Sequence, residues 1–264
     1  MSRVAEYNTQ YMSGHSKWST IKRQKGANDA KRGQLFTRLS KAITLAVQTG
    51  GGVADPTGNP RLRLAIEAAR GANMPKDNID RAIQRATAKQ EAALEEGLYE
   101  GFGPGGFSVI VETLTDNKQR TVSEVKNAFD KNGGSMGNQG SVMYQFERKG
   151  CITLSKVRKT FDELFLIAVD NQAEDVEDGE EEVYVYTNPE DLAKVRDGLT
   201  SEGVEVKSVE IIYRPVVLMS LTEKETAKKA LHFLDKLDSL EDVQKVYANF
   251  DIADDVMKEQ TLDE

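Results

Sequence analysis

Hydrophobic residues in the first third of the chain repeat with the period of an α-helix. In residues 27–49 they are spaced three or four positions apart, at Phe36, Leu39, Ile43 and Val47. Two shorter helices should follow, because Asn59-Pro60 and Pro75 are typical helix starts and Gly71 is a typical helix stop. The pattern therefore predicts a three-helix bundle that ends near Lys89.

From residue 91 onward, short strand patterns alternate with helix patterns. Residues 91–100 are expected to form an acidic linker. Strands are predicted at 107–115, 142–146, 183–186, 204–213 and 243–250. Helices are predicted at the capping boxes that begin with Thr121 and Thr222, at 161–169 and after Asn188-Pro189. Each strand–helix–strand unit must bury one face of its sheet, so two small α+β domains are expected.

These elements together predict an α+β multidomain fold with an N-terminal three-helix bundle and two small ferredoxin-like α+β domains. The C-terminal helix and strand are expected to complete the first sheet, which would make the middle segment an insertion. The predicted divisions are a disordered leader at 1–12, a basic helical domain at 13–90, a discontinuous α+β domain at 91–148 and 215–264, and an inserted α+β domain at 149–214.

Charge divides the chain at the end of the predicted bundle. Residues 1–90 contain 16 lysines and arginines against six aspartates and glutamates, a net charge of +10, whereas the remaining residues carry −18. The total of −8 hides this asymmetry. Solvated basic helix faces would also explain it, but the coincidence of charge and element boundaries favours a module that binds polyanions.

The segment Ser13–Arg38 carries seven lysines and arginines, opposed only by Asp29. Such cations neutralise phosphates, and a nearby aromatic ring can stack on an unpaired base. Trp18, the only tryptophan, either stacks on a base or anchors the segment to the bundle, and the two roles are compatible. The predicted nucleic-acid-binding residues are Lys17, Trp18, Lys22, Arg23, Lys25, Lys31, Arg32 and Arg38.

The candidate catalytic and metal-binding motifs lack either the required structural context or the required residues. The run 101–106 matches the dinucleotide-binding pattern G-x-G-x-x-G, but its glycines precede a predicted strand and not a helix. The only histidines are His15 and His232, and both are far from the single cysteine, Cys151, so no zinc-ligand spacing occurs. The acidic run 174–182 is better explained as a solvated loop. We therefore expect no enzymatic activity, metal, cofactor or small-molecule substrate.

The hydropathy pattern favours a cytoplasmic protein with no membrane partner. No apolar run approaches the roughly 20 residues that a membrane-spanning helix needs. The N-terminus has charged and polar residues where a signal peptide would need an apolar stretch. The single cysteine fits a reducing compartment.

Several motifs closely resemble those of the YebC family. They are the runs Met12–Trp18, Asp29–Arg32, Asn73–Ile79, Gly103–Gly106 and Asn249–Asp251. The resemblance extends from Met12 to about Ile252, and residues 1–11 precede the usual start of the family. The basic opening motif of the family maps onto Lys17, Lys22, Lys25, Lys31 and Arg32.

The resemblance implies three domains, no established catalytic residues and a function in gene expression. Members of the family are described as probable transcriptional regulators that bind DNA in the cytoplasm. Others, including the mitochondrial translational activator of cytochrome oxidase, act on the ribosome and help synthesis through proline-rich stretches. Two hypotheses follow: a regulator that binds DNA, and a translation factor that binds rRNA or tRNA on the ribosome. The Gly/Ser-interrupted basic segment and the lack of an obvious recognition helix mildly favour the second.

Overall fold

The computed structural model describes residues 29–88, 93–179 and 182–252, with the side chains of the first range described from Arg32 onward. Within these ranges, seven α-helices and ten strands form an α+β multidomain fold, which confirms the predicted fold class. The described residues fall into two compact units. The main unit comprises 29–147 and 215–252, and the inserted unit comprises 148–214.

The main unit begins with three helices that share one hydrophobic core. They are α1 (Asp29–Thr49), α2 (Pro60–Gly71) and α3 (Lys76–Thr87). Their shared core consists of the buried residues Ile43, Ala46, Val47, Leu62, Ile66, Ala69, Met74, Ile79, Ala82 and Ala86. The predicted spacing of Ile43 and Val47 is therefore the spacing of the buried face of α1.

Asn59 fixes the connection between α1 and α2. Its side-chain Oδ1 accepts the N–H of Leu62 at 3.1 Å, which confirms the predicted N-cap, and its Nδ2 donates to the carbonyl of Ala46 at 2.8 Å. A Cβ at Gly50 would collide with this amide. The glycine after α1 is therefore required by close packing.

A four-stranded antiparallel sheet follows the helices. Its strands are β1 (Glu95–Phe102), β2 (Ser108–Thr115), β3 (Ser135–Met136) and β9 (Val243–Ala248). Their order in the sheet is β3-β1-β2-β9. The helices α4 (Lys118–Lys131) and α7 (Lys224–Asp238) pack on it through edge-to-face aromatic contacts among Phe107, Phe129 and Phe233. Because β9 lies beside β2, the C-terminal part of the chain completes the sheet that the middle part begins.

The inserted unit is a second α+β layer structure. Its elements are β4 (Phe146–Ser155), α5 (Phe161–Asp170), β5 (Asp175–Asp178), β6 (Glu182–Thr187), α6 (Leu192–Ser201) and β7 (Val206–Pro215). The strand order is β5-β6-β4-β7. Alternate residues of β4 and β6 share a buried core with Leu164 of α5 and Leu199 of α6. A short parallel pair in the main unit, β8 (Met219–Leu221) and β10 (Phe250–Ile252), completes the elements.

The predicted acidic linker at 91–100 is wrong, because residues 95–102 form β1. Glutamates and glycines hide the strand pattern, but β1 pairs with β2 along eight residues. Glu100 is only 3% exposed, and its carboxylate accepts the N–H groups of Gly140, Val142 and Met143 at 2.6–2.8 Å. Burial alone would raise the pKa of Glu100, but these three donors lower it below its ordinary value.

Other predicted element starts also differ from the structure, and the helix expected after Asn188-Pro189 begins only at Leu192. The predicted strand at 142–146 is largely a 3₁₀ turn at Met143–Gln145. Helix α4 begins at Lys118, after the N-cap Asn117, and not at the capping box of Thr121. Helix α7 begins at Lys224, after the N-cap Glu223, and not at the capping box of Thr222. The Thr121 hydroxyl instead bonds to the Asp242 carboxylate at 2.8 Å, a partner distant in sequence.

Candidate nucleic-acid interface

Most of the predicted nucleic-acid-binding residues lie outside the described parts of the chain. This holds for Lys17, Trp18, Lys22, Arg23 and Lys25, for the leader 1–12, and for the side chain of Lys31. Their binding of nucleic acid stays a prediction. Arg32 and Arg38 are described, and both lie on α1.

Arg32 is exposed near the start of α1, and its guanidinium lies over an aromatic ring. The guanidinium carbon is 5.4 Å from the ring centroid of Phe36, one helical turn away. This contact holds the cation on an exposed surface. The position suits an arginine that meets a polyanion.

Arg38 binds the C-terminal end of α7. Its Nη1 lies 3.1 Å from Asp238 Oδ1, and its Nη2 donates to the backbone carbonyl of the same residue. The two side chains are only 12% and 16% exposed. A cation near the last carbonyls of a helix also interacts favourably with the helix dipole. Arg38 therefore fastens α1 to α7 in this structure, and its binding of nucleic acid stays a prediction.

Asp242 is the centre of a second contact between α1 and the sheet. Its carboxylate, 1% exposed, binds Lys41 Nζ at 2.7 Å and Arg120 Nη2 at 2.8 Å. The hydroxyls of Thr115 and Thr121 donate to it at 3.0 and 2.8 Å. Burial alone would raise the pKa of Asp242, but these hydrogen bonds and charges hold it well below its usual range. One carboxylate thus joins α1, the start of α4 and the end of β2.

A groove runs between α1 and α3, and its first part is a cavity of about 240 Å³. Thr37 and Ser40 line it from α1, while Asn78, Arg81 and Arg85 line it from α3. Phe36 and Met74 complete the lining. No acidic residue is among these described lining residues. We call this cavity and its continuation the α1–α3 groove.

The continuation is a cavity of about 420 Å³ that shares Thr37, Ser40 and Arg85 with the first part. It extends past Lys41 to Arg120 at the start of α4. Two carboxylates, Asp116 and Glu241, also line this second part. The first part of the groove is therefore more favourable to anions than the second part.

Arg81 and Arg85 are exposed, and the sequence interpretation missed them because it stopped at Arg38. Arg81 Nε donates to the carbonyl of Asp77 at 3.1 Å, and its Nη2 donates to Asn78 Oδ1 at 3.0 Å. Asn78, Arg81 and Arg85 are separated by three and four residues, so they form one stripe beside the buried face of α3. This helical spacing of polar and basic residues is visible in the sequence and could have identified them as candidates.

The described helical part of the main unit is basic even without the segment before it. Residues 32–88 carry nine lysines and arginines against four aspartates and glutamates. Residues 148–214 carry nine against 16. The charge asymmetry of the sequence therefore corresponds to different structural parts: α1 to α3 are net positive, and the inserted unit is net negative.

Among the described residues, no helix has both the length and the apolar character that crossing a membrane requires. The same residues contain no cluster of three or more histidines, cysteines, aspartates and glutamates able to hold a metal ion.

The α+β multidomain fold also occurs in a solved structure. A conserved hypothetical protein from Aquifex aeolicus is 43% identical, with a TM-score of 0.80, and the match covers 85% of this chain and 92% of that one. Residues 16–89 match the N-terminal domain of the TACO1/YebC proteins, and residues 94–250 match their second and third domains. The chain belongs to the TACO1/YebC family.

Curated relatives cover nearly the whole chain. A probable transcriptional regulatory protein from Trichlorobacter lovleyi is 49% identical over 248 residues, which are 94% of this chain and 99% of the relative. Another protein of that description, from Chloroflexus aurantiacus, is 52% identical over 244 residues, which are 91% of this chain and 96% of the relative. The relatives are thus named as probable regulators, and the resemblance seen in the motifs is confirmed.

We predict that Asp242→Asn lowers the free energy of unfolding by about 3 kcal/mol at neutral pH, because it removes the charge that neutralises Lys41 and Arg120 in a buried site. Urea denaturation followed by circular dichroism measures the effect. Asp116→Asn is the matched control, since Asp116 also pairs with Arg120 but is 48% exposed. The control should cost at most about 1 kcal/mol. Equal losses would contradict the importance of the Asp242 network.

The same network predicts a pH dependence of stability. Because the pKa of Asp242 is lowered in the folded protein, its contribution is present above the unfolded pKa of about 4 and is lost as the pH falls further. Denaturation midpoints measured from neutral to acidic pH should therefore fall more steeply for the wild-type chain than for Asp242→Asn. Parallel curves would show that the carboxylate is not stabilised as described.

Proposed function

We propose that this protein is a non-catalytic regulator of gene expression that acts in the cytoplasm and binds nucleic acid with its N-terminal third. The segment Ser13–Arg38 supplies the main phosphate contacts, with Lys17, Lys22 and Arg23 among its cations and Trp18 as its aromatic residue. The observation that carries the proposal is the restriction of net positive charge to residues 1–90. The exposed Arg32 on α1 and the arginine stripe of α3 support it.

The names of the relatives favour a transcriptional regulator that binds DNA. A translation factor that binds rRNA or tRNA on the ribosome is the second candidate. One structural feature favours it: Thr37 and Ser40, on the polar face of α1, line a groove. A helix that reads duplex DNA must protrude into the major groove, whereas folded RNA offers single-stranded loops that enter a concave site.

Removal of five cations from the basic segment tests nucleic-acid binding. The variant replaces Lys22, Arg23, Lys25, Lys31 and Arg32 with alanine. Its affinity for RNA and DNA should fall at least about 100-fold at low salt, because each lost phosphate contact removes a counterion-release contribution. Fluorescence anisotropy across a salt series measures both the affinity and its salt dependence.

The matched control removes five exposed positive charges elsewhere in the chain. It replaces Lys126, Lys131, Arg158, Lys228 and Lys236 with alanine. Its total charge equals that of the first variant, so any purely global effect of charge should be the same. Unchanged affinity of the first variant for both nucleic acids, or equal losses in the two variants, would refute binding through the basic segment.

Sedimentation of cell lysates separates the two candidate functions. A translation factor should co-sediment with ribosomes after DNase treatment and lose that association when ribosomes are dissociated. A transcriptional regulator should instead remain with DNA and protect a discrete promoter segment from nuclease. Ribosome association without any promoter protection would contradict the transcriptional hypothesis, and the opposite result would contradict the translational one.

A further inference from the structure

We infer that the α1–α3 groove binds the sugar–phosphate backbone of a single-stranded nucleic acid. This inference rests on the proposed function and assigns a second contact site, beyond Ser13–Arg38, to residues that the structure describes. It also specifies the form of nucleic acid that is bound.

The donors of the smaller cavity match a phosphodiester. Arg81 and Arg85 both line it, and arginine forms short charge-assisted hydrogen bonds with phosphate oxygens. Asn78 Oδ1 accepts from Arg81, so the Asn78 amide presents its nitrogen as a donor. Because none of the described lining residues is acidic, an entering phosphate meets no like charge in this part.

The shape of the site favours a single strand over a duplex. Apart from Met74, the lining residues come from two helices, and the first part of the groove is a small open concavity of about 240 Å³. A duplex is read by an element that projects into its groove, which a recessed surface cannot do. A single strand can lie in a cationic groove with its phosphates inward, as in other sequence-tolerant sites.

The groove also reaches the described end of the segment Ser13–Arg38. Phe36 lines the first cavity, and Arg32 lies over the Phe36 ring at 5.4 Å. The cation and the aromatic ring give one end of the groove a surface on which a base can stack. A strand that contacts Arg32 can therefore continue into the groove. Asp116 and Glu241 repel phosphates at the opposite end.

The test compares single-stranded and duplex binding by a groove variant. Arg81→Gln combined with Arg85→Gln removes two guanidinium groups from exposed positions of α3, so the fold should be retained. Fluorescence anisotropy is measured with a labelled oligouridylate of about 12 nucleotides, a length within known single-strand site sizes. A duplex of the same length and inorganic phosphate as competitor are the other two probes.

Affinity of the double variant for oligouridylate should fall roughly ten-fold, because charge-assisted hydrogen bonds are lost. The slope of log affinity against log salt should decrease by about 1.4, the value for two single-strand phosphate contacts. Affinity for the duplex should change less than about two-fold. The matched control, Arg61→Gln with Arg70→Gln, removes two exposed charges from α2 that do not line the groove, and it should bind oligouridylate almost like the wild type.

Photocrosslinking of thiouridine-substituted oligouridylate to the wild-type chain gives a readout that does not depend on a variant. Mass spectrometry should locate crosslinks on α1 between Phe36 and Ser40 or on α3 near Arg81. The inference is overturned if crosslinks fall only elsewhere, if the groove and control variants lose equal affinity, or if the duplex loses more than the single strand. If inorganic phosphate displaces oligouridylate at concentrations too low to change the ionic strength noticeably, the groove is a site for free anions and the inference is overturned.

The outcomes for the groove and for the proposed function differ. If the wild-type chain binds oligouridylate and the groove variant binds equally well, the groove inference fails and the function of Ser13–Arg38 stands. If the wild-type chain binds neither RNA nor DNA, the proposed function itself fails.

Discussion

The arrangement of the main unit depends on the buried carboxylate of Asp242. It joins Lys41 of α1 to Arg120 of α4 and receives two threonine hydroxyls, so one charge fixes a helix near the beginning of the chain on a strand near its end. Arg38 and Asp238 add a second ion pair along the same helix. Removing one partner of such a network leaves a buried charge uncompensated, which costs free energy. The carboxylate and its cationic partners must therefore be held together in the folded protein. The position of α1, and with it one wall of the α1–α3 groove, follows from this constraint.

Local patterns predicted the helices well, because local chemistry determines them. The apolar spacing of α1 and the Asn59 cap of α2 depend on residues within one or two turns. The Asp242 network could not be predicted in this way, since Lys41 and Arg120 are 201 and 122 residues from it in sequence. Thr121 shows the consequence: its sequence context resembles a helix cap, but its hydroxyl serves the buried carboxylate.

Only part of the candidate site was predicted, again because local patterns do not show which distant residues come together. A local charge count found the basic segment and Arg32, but it gave no reason to pair α3 with α1. The spacing of Arg81 and Arg85 is visible in the sequence, but only the packing of α3 on α1 shows that they line a groove with Thr37 and Ser40. Conversely, Arg38 looked like another phosphate contact, and the structure shows it bonded to Asp238. Membership of the TACO1/YebC family fits a regulator, while the groove specifies how such a protein could hold its nucleic acid.

Hydrogen–deuterium exchange on the full chain, with and without saturating oligouridylate, tests the central claim most directly. Binding to the N-terminal third and to the α1–α3 groove should slow exchange in the segment before α1, in the first turns of α1 and in α3. It should leave α5 and α6 of the acidic inserted unit unchanged, because these helices carry no part of the proposed site. Protection confined to residues 148–214, with none in α1 or α3, would contradict the account.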